Sequence, residues 1–340
     1  MTFSVDSTLT GIHSRSEETV RVSRDFDRGR TTKQVLEATF ESDAKNLVKL
    51  EVDSGLTRIG DGQLKWQDFI RPFSESIKGL KSGADLSRWF DTNSFYRRPA
   101  IVSRLSSPRD ATFLLNYVVS SALAQADGEN DKKRKLKLSL PGPYTLANLV
   151  ANETYDAKEQ VIEGFAEILR SIISKVSQLG FDSVQINEPS LVYRYGSSAL
   201  KSRKELKTFL SAFRRNFSKP PVEIYLHTYF GDCSQIIGDL LELDGITALG
   251  IDFTQTSLDS VEKFKFGEKA LACGCVDGRN SLVEPPEWIA RFCAEAIRTL
   301  KPSGIVVLPS SELKYLPRTC ADQKIRSIGK AGKILEKTVT

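Results

Sequence analysis

The 340-residue sequence contains no apolar stretch near the roughly 18 residues a membrane span needs. Residues 1–10 lack the basic start and apolar run of a signal peptide. Both absences predict a cytoplasmic protein that stays off membranes. Cysteine is sparse: Cys233, Cys273, Cys275, Cys293 and Cys320 are odd in number and irregularly spaced, which excludes a secreted disulfide framework and suits a reducing compartment. The glycines are isolated rather than clustered between a strand and a helix, so phosphate-loop and dinucleotide fingerprints are missing. A strong charge of one sign is missing too. The net charge of +5 is spread along the chain, and the densest basic run, Lys132 to Lys135, reads as a solvated loop, so nucleic acid is not an expected partner.

What is present is an alternation of short β-type runs with longer amphipathic ones, the pattern of a parallel sheet with helical crossovers. Strands are expected at 8–11, 57–61, 137–141, 183–187, 224–228, 248–252, 271–276 and 304–309. Eight such units predict an α/β chain folded as one (β/α)8 TIM barrel over 1–340. Helices are expected at 32–54, 157–179, 197–217, 233–243, 258–264 and 286–300. In 157–179 the residues Val161, Phe165, Ile168, Leu169, Ile172, Ile173 and Val176 form a single apolar stripe suited to packing on a barrel. Between the second and third strands an insertion at about 67–131 is read as a strand pair and a helix over 111–126, lying over one mouth of the barrel.

Barrels of this type carry their chemistry at the strand C-termini, where the loops converge on one pocket. The residues there are Asn187 and Glu188 after the fourth strand, His227 on the fifth, Asp252 on the sixth, Asp277 on the seventh and Ser311 after the eighth. Glu188 is either a buried acid tied to backbone or a ligand and general acid/base. His227 fits a hydrogen-bonded rim role as well as a chemical one. Asp277 and Arg279 are expected to pair with each other or with backbone. Glu188, His227, Asp252 and Asp277 form the candidate catalytic set. Cys273 and Cys275 share one face of a strand, but the single residue between them is too short for the usual paired-cysteine zinc loop, so a packing role is expected and no metal is assigned.

Five runs carry a family likeness: Trp89-Phe90-Asp91-Thr92-Asn93, Leu140-Pro141-Gly142-Pro143-Tyr144-Thr145, Gln185-Ile186-Asn187-Glu188-Pro189, Thr228-Tyr229-Phe230-Gly231-Asp232 and Val276-Asp277-Gly278-Arg279-Asn280. Together they resemble the cobalamin-independent methionine synthase family, a pair of homologous barrels in one long chain, and most closely its N-terminal barrel. The likeness runs from about Gly11 to near Lys330.

The resemblance implies methyl transfer from a methyltetrahydrofolate to homocysteine in methionine biosynthesis. In the family the homocysteine thiol is activated by zinc held in the C-terminal barrel by a His-x-Cys pair, a Glu and a further Cys. This sequence departs at each ligand position: no Cys follows His227 or Thr228 at that spacing, Asp252 replaces Glu, and Ser311 stands for the last Cys. Asn187 replaces a homocysteine-contacting Asp, and Gly278-Arg279 replaces a loop histidine. Zinc is therefore not carried over. Arg88, beside Trp89, Asp91 and Asn93, takes the place of a folate-contacting lysine, and Arg15 falls in the family's other folate-contacting run. With Asn187 and Ser311 these make the candidate substrate-binding set, and both cations suit an anionic methyl carrier. Three activities follow: a barrel supplying carrier binding to a separately encoded zinc-bearing C-terminal-type barrel; a self-sufficient methyltransferase with an altered site; or a non-catalytic folate- or amino-acid-binding barrel.

Overall fold

Period-2 runs rich in β-branched residues pair laterally only if the chain between them can cross back over the sheet, and here helices provide those crossovers. In the computed structural model, which describes residues 3–83, 85–107, 111–126, 134–193 and 203–339, eight strands pair in parallel. They are β1 (Ser4–Ser7), β2 (Arg58–Ile59), β3 (Lys135–Pro141), β4 (Ser183–Asn187), β5 (Glu223–Thr228), β6 (Ala248–Asp252), β7 (Ala270–Val276) and β8 (Gly304–Pro309). Neighbours follow chain order from β2 to β8, and β8 returns to β1. The seam between β1 and β2 is joined by the Thr57 amide donating to Ser7 O at 3.2 Å and the Ser7 amide donating to Thr57 Oγ1 at 2.9 Å. The sheet is thus an α/β barrel.

Side-chain alternation sorts the strands into two faces. Tyr225, Ala248, Ala272, Val306 and Leu308, on four successive strands, pack together inside the ring. Residues between them, such as Leu226, Leu249, Cys273 and Val307, join the larger core shared with the helices. Helix Lys158–Gln178 buries all seven residues of its expected stripe together with Ile162 and Ala166. Helix Lys33–Ser54 starts where Thr32 accepts a hydrogen bond from the Val35 amide and ends at Gly55 in the left-handed conformation.

Several elements differ from expectation. The first strand is Ser4–Ser7, not 8–11; beyond it β8 is met by one backbone bond, from the Thr8 amide to Val307 O, and then by the Thr10 hydroxyl on Pro309 O. Helix Glu17–Asp27 was not foreseen, although Ser16 caps it by accepting from the Thr19 amide at 3.2 Å. The insertion holds two antiparallel pairs, Lys78–Lys81 with Ala100–Ser106 and Leu86–Arg88 with Phe95–Arg97. In place of a helix over 111–126 there is a 3-10 segment Ala111–Tyr117 followed by a single turn, Ser120–Leu123. Tertiary bonds interrupt the helix there, because Asp61 takes the Val119 amide (2.8 Å) and Trp66 Nε1 takes Tyr117 O (3.2 Å). The helix expected at 197–217 is seen as Arg203–Phe217, and its start lies outside the described residues. Helices at 233–243 and 258–264 shorten to Ile237–Leu241 and Leu258–Val261. Among the described residues no helix is long and apolar enough to cross a membrane.

Candidate functional site at the C-terminal mouth of the barrel

β4 ends at Asn187, and Pro189 stops the strand by removing a donor. Glu188, completely buried, turns to the short helix Pro143–Leu149 that follows β3. Its Oε1 accepts from the Tyr144 amide at 2.9 Å; its Oε2 accepts from the Thr145 amide at 2.7 Å and the Thr145 hydroxyl at 2.6 Å. Only glycine fits at Gly142, where a Cβ would lie 2.2 Å from the carboxylate. Burial outweighs the three donated bonds and pushes the Glu188 carboxyl up to about 8. The Glu188 side chain thus ties β4 to the loop after β3, with both oxygens engaged. Beside it Asn187 accepts from Gln185 Nε2 at 2.8 Å, Gln185 accepts in turn from buried Lys137, and Asn187 Nδ2 has no partner.

His227 lies inside the mouth, fully buried, with Nε2 2.9 Å from Ser310 O. A carbonyl only accepts, so Nε2 carries the proton and Nδ1, without a partner, is a bare acceptor. Burial lowers its pKa to about 4, which keeps the ring neutral. A Cβ at Gly250 on the neighbouring strand would fall 2.0 Å from Nδ1, so that glycine makes the room for the ring. Asp252 uses both oxygens on loop groups: the Phe230 amide at 3.0 Å, and the Thr254 amide at 2.9 Å with its hydroxyl at 2.6 Å. Burial raises its pKa to about 6. Asp277 accepts from the Arg279 amide at 2.8 Å rather than from the guanidinium, which lies over the Phe230 ring at 5.0 Å. The Asp277 amide donates to Glu284, and Glu284 is held by buried Lys324 at 2.6 Å.

The eighth strand contributes Ser311 and Glu312, both fully buried. Glu312 accepts from the Tyr315 hydroxyl at 3.0 Å, and burial, together with the nearby Glu312 carboxylate, pushes the Tyr229 hydroxyl well up. Trp89 and Phe90 of the insertion close this region through ring contacts: Trp89 with Phe90 at 5.0 Å, Phe90 with Phe230 at 5.6 Å, Phe230 with Tyr315 at 6.1 Å, and Tyr229 with His227 at 5.4 Å. Around the mouth Asn187 Nδ2, His227 Nδ1 and Ser311 Oγ are buried without a hydrogen-bond partner, while the Tyr229 hydroxyl faces Glu312 and the Trp89 indole N–H faces Tyr315. Each unpartnered atom costs about 1–3 kcal/mol if nothing meets it, so this cluster calls for ordered water or a polar ligand. Tyr229 and Glu312 were not singled out from the sequence, although Tyr229 directly follows the fifth strand and Glu312 lies three residues past the eighth.

The expected substrate-binding residues divide. Trp89, Asn187 and Ser311 are at the mouth, whereas Arg88, Asp91 and Asn93 are exposed on the outer side of the same turn, with Arg88 Nε donating to Thr92 O at 2.6 Å. Arg15 is on a separate segment, its guanidinium bound to Leu64 O and Trp66 O; burial lowers its pKa to about 10. It borders an open groove of about 650 Å³ lined by Arg21, Arg24, Arg28 and Arg318 together with the acids Glu17 and Asp25.

The mouth does not fit the family's zinc. Its His227 Nε2 is committed to Ser310 O, both Asp252 oxygens are held by loop groups, and Ser311 offers a hydroxyl in place of a thiolate. The described cysteines are elsewhere: Cys233 lies under Thr256, and Cys273 and Cys275 face outward from β7.

Residues 78–291, more than half of the chain, match the model of the N-terminal domain of cobalamin-independent synthases. The chain is 22% identical over 329 residues to a methionine synthase of Sulfurisphaera tokodaii, spanning 97% of this chain and 92% of that protein. It is 24% identical over 326 residues to one of Sulfolobus acidocaldarius, spanning 94% and 88%. The barrel superposes on a B12-independent methionine synthase from Shewanella sp. W3-18-1 in complex with selenomethionine with a TM-score of 0.74 at 14% identity, covering 98% of both chains. A putative vitamin-B12-independent methionine synthase from Listeria monocytogenes gives 0.74 at 16% identity, covering 98% and 99%. Identities this low establish the shared fold.

Proposed function

Because the chain belongs to the cobalamin-independent synthase family, we propose that it acts in methionine biosynthesis as a methionine-synthase-like barrel that binds an anionic methyl carrier of the methyl-folate type. In this reading it promotes transfer to homocysteine together with a separate zinc-bearing barrel of the C-terminal type. The observation that carries the reading is the composition of the mouth: it keeps buried, unpartnered hydrogen-bonding groups able to hold a polar ligand, yet offers no thiolate. Thiol activation at neutral pH then falls to a partner, because a metal-bound thiolate stays deprotonated where a free thiol does not. Glu188 and Asp252 shape the mouth by fixing loops, Asn187 and Trp89 offer donors, and neutral His227 offers an acceptor. The arginine groove beside Arg15 suits the negatively charged end of such a carrier.

Mixing the purified chain with a zinc-bearing homologue tests this directly. A complex in sedimentation velocity and faster methyl transfer to homocysteine are expected. Neither a complex nor a change in rate would remove the partner barrel. Turnover by the isolated chain, abolished in Glu188→Gln, would make it self-sufficient; thermal stabilisation by a methyl-folate without turnover in any mixture would make it a binding barrel.

A further inference from the structure

Cys273 and Cys275 alternate along β7 with residues that face the barrel interior, so both thiols leave on the outer side. Helix Pro286–Leu300 lays Cys293 against them. All three are buried, and their sulfurs lie within 4.8 Å of one another, with Cys275 and Cys293 4.0 Å apart. The sequence alone pairs only the first two; the third arrives through the βα crossover. We propose that this triad binds one soft, thiophilic cation of the copper(I) class through three sulfurs, at a place separate from the barrel mouth.

Geometry and donor type favour that occupant. An ion in the plane of three sulfurs, each at about 2.3 Å, holds them about 4.0 Å apart, and the Cys275–Cys293 pair already has that separation. An all-sulfur donor set selects soft ions over hard ones. Structural zinc takes four ligands, but among the described residues no His, Asp, Glu or further Cys joins the cluster. The surroundings are apolar core, where a net charge is costly. Each of the three sulfurs binds as a thiolate, its S–H proton leaving for solvent as the bond to the ion forms. With copper(I) the complex then carries two negative charges, the unfavourable contribution that the affinity measurement weighs, and no oxidant or reductant is consumed. Packing alone would be served by any small apolar side chain, yet three of the chain's five cysteines meet here.

The test uses the full chain, kept reduced, with copper(I) delivered under competition from a chromogenic chelator. One copper(I) per chain in a three-coordinate, sulfur-only environment by X-ray absorption is expected. Cys293→Ser and Cys273→Ser should each lower the affinity by more than the roughly 100-fold typical of losing a residue that only supports a ligand, while Cys320→Ser leaves it unchanged. A measurement that needs no variant guards against misfolding: copper(I) should protect three of the five thiols from alkylation during brief partial unfolding. Failure to retain copper(I), protection of a different number of thiols, binding unaltered by Cys293→Ser, or zinc(II) held more tightly in a mixed sulfur–oxygen site would each overturn the proposal.

Discussion

Thr145 holds Glu188 twice, through its amide at 2.7 Å and its hydroxyl at 2.6 Å, and the same hydroxyl accepts from the Ser190 amide at 3.3 Å. One side chain therefore joins the loop after β3 to both residues that flank Pro189. Thr145→Val keeps the shape but strips the carboxylate of a donor and the Ser190 amide of its acceptor. A loss of about 2 kcal/mol in urea unfolding is expected, with Thr145→Ser recovering most of it.

The Glu188 carboxyl titrates at about 8 in the folded chain against 4.5 in the unfolded one. The folded state therefore holds this proton more tightly. The associated stability is complete below pH 4.5 and is lost as pH rises to 8. Glu188→Gln removes that dependence. The difference in unfolding free energy between wild type and variant should favour the wild type most near pH 5 and shift toward the variant by pH 8. A difference that stays constant over this window would mean that Glu188 is charged throughout.

His227 titrates in the opposite sense to Glu188. Its pKa is lowered from 6.5 to about 4, so the stability tied to its neutral form is present above 6.5 and is lost as pH falls toward 4. With only two histidines in the chain, nitrogen-15 spectra can follow each ring separately. At pH 6 the His227 spectrum should show a neutral ring with the proton on Nε2, and replacing Gly250 with Ala should displace that ring, as a shift of both its resonances.

Lys324 is fully buried and donates to Glu284 and to Leu282 O, each at 2.6 Å. Lys324→Met should cost about 3 kcal/mol by leaving the Glu284 carboxylate short of its cation. Because Glu284 also receives the Asp277 amide, faster amide exchange at residues 277–284 should accompany the loss.

Trp89 and Trp66 are buried, whereas Trp288 is 38% exposed. If the methyl carrier enters the mouth, its pterin should quench Trp89 emission. Trp89→Phe should remove most of that quenching and weaken binding several-fold, since it keeps an aromatic ring but deletes the indole N–H, worth about 1 kcal/mol.

The eight-strand count, the stripe of Val161 to Val176 and the strand ends at Asn187, His227, Asp252 and Ser311 were all legible in the sequence, because residue alternation and helical period are local properties. The insertion was less so. Asp61 interrupts the helix expected at 111–126 from a residue more than fifty positions away, and no local pattern carries that information. The two faces of Trp89-Phe90-Asp91-Thr92-Asn93 were likewise mixed in the reading. Only the turn, with Phe90 at a positive φ, sends the two aromatic rings into the mouth and leaves Asp91 and Asn93 in solvent.

By itself, then, the sequence determined most of the strand-end residues around the rim, Asn187, Glu188, His227, Asp252 and Ser311 among them, but not Tyr229 or Glu312. Closure of the ring and packing of its crossovers decided the state of each. They bound the carboxylates of Glu188 and Asp252 to loop donors and fixed the His227 tautomer against Ser310 O. They also gathered the buried polar atoms of Trp89, Tyr229 and Glu312 and brought Cys293 to Cys273 and Cys275. Hydrogen-bond partners and desolvation depend on neighbours distant in sequence, and those neighbours exist only once the chain has folded.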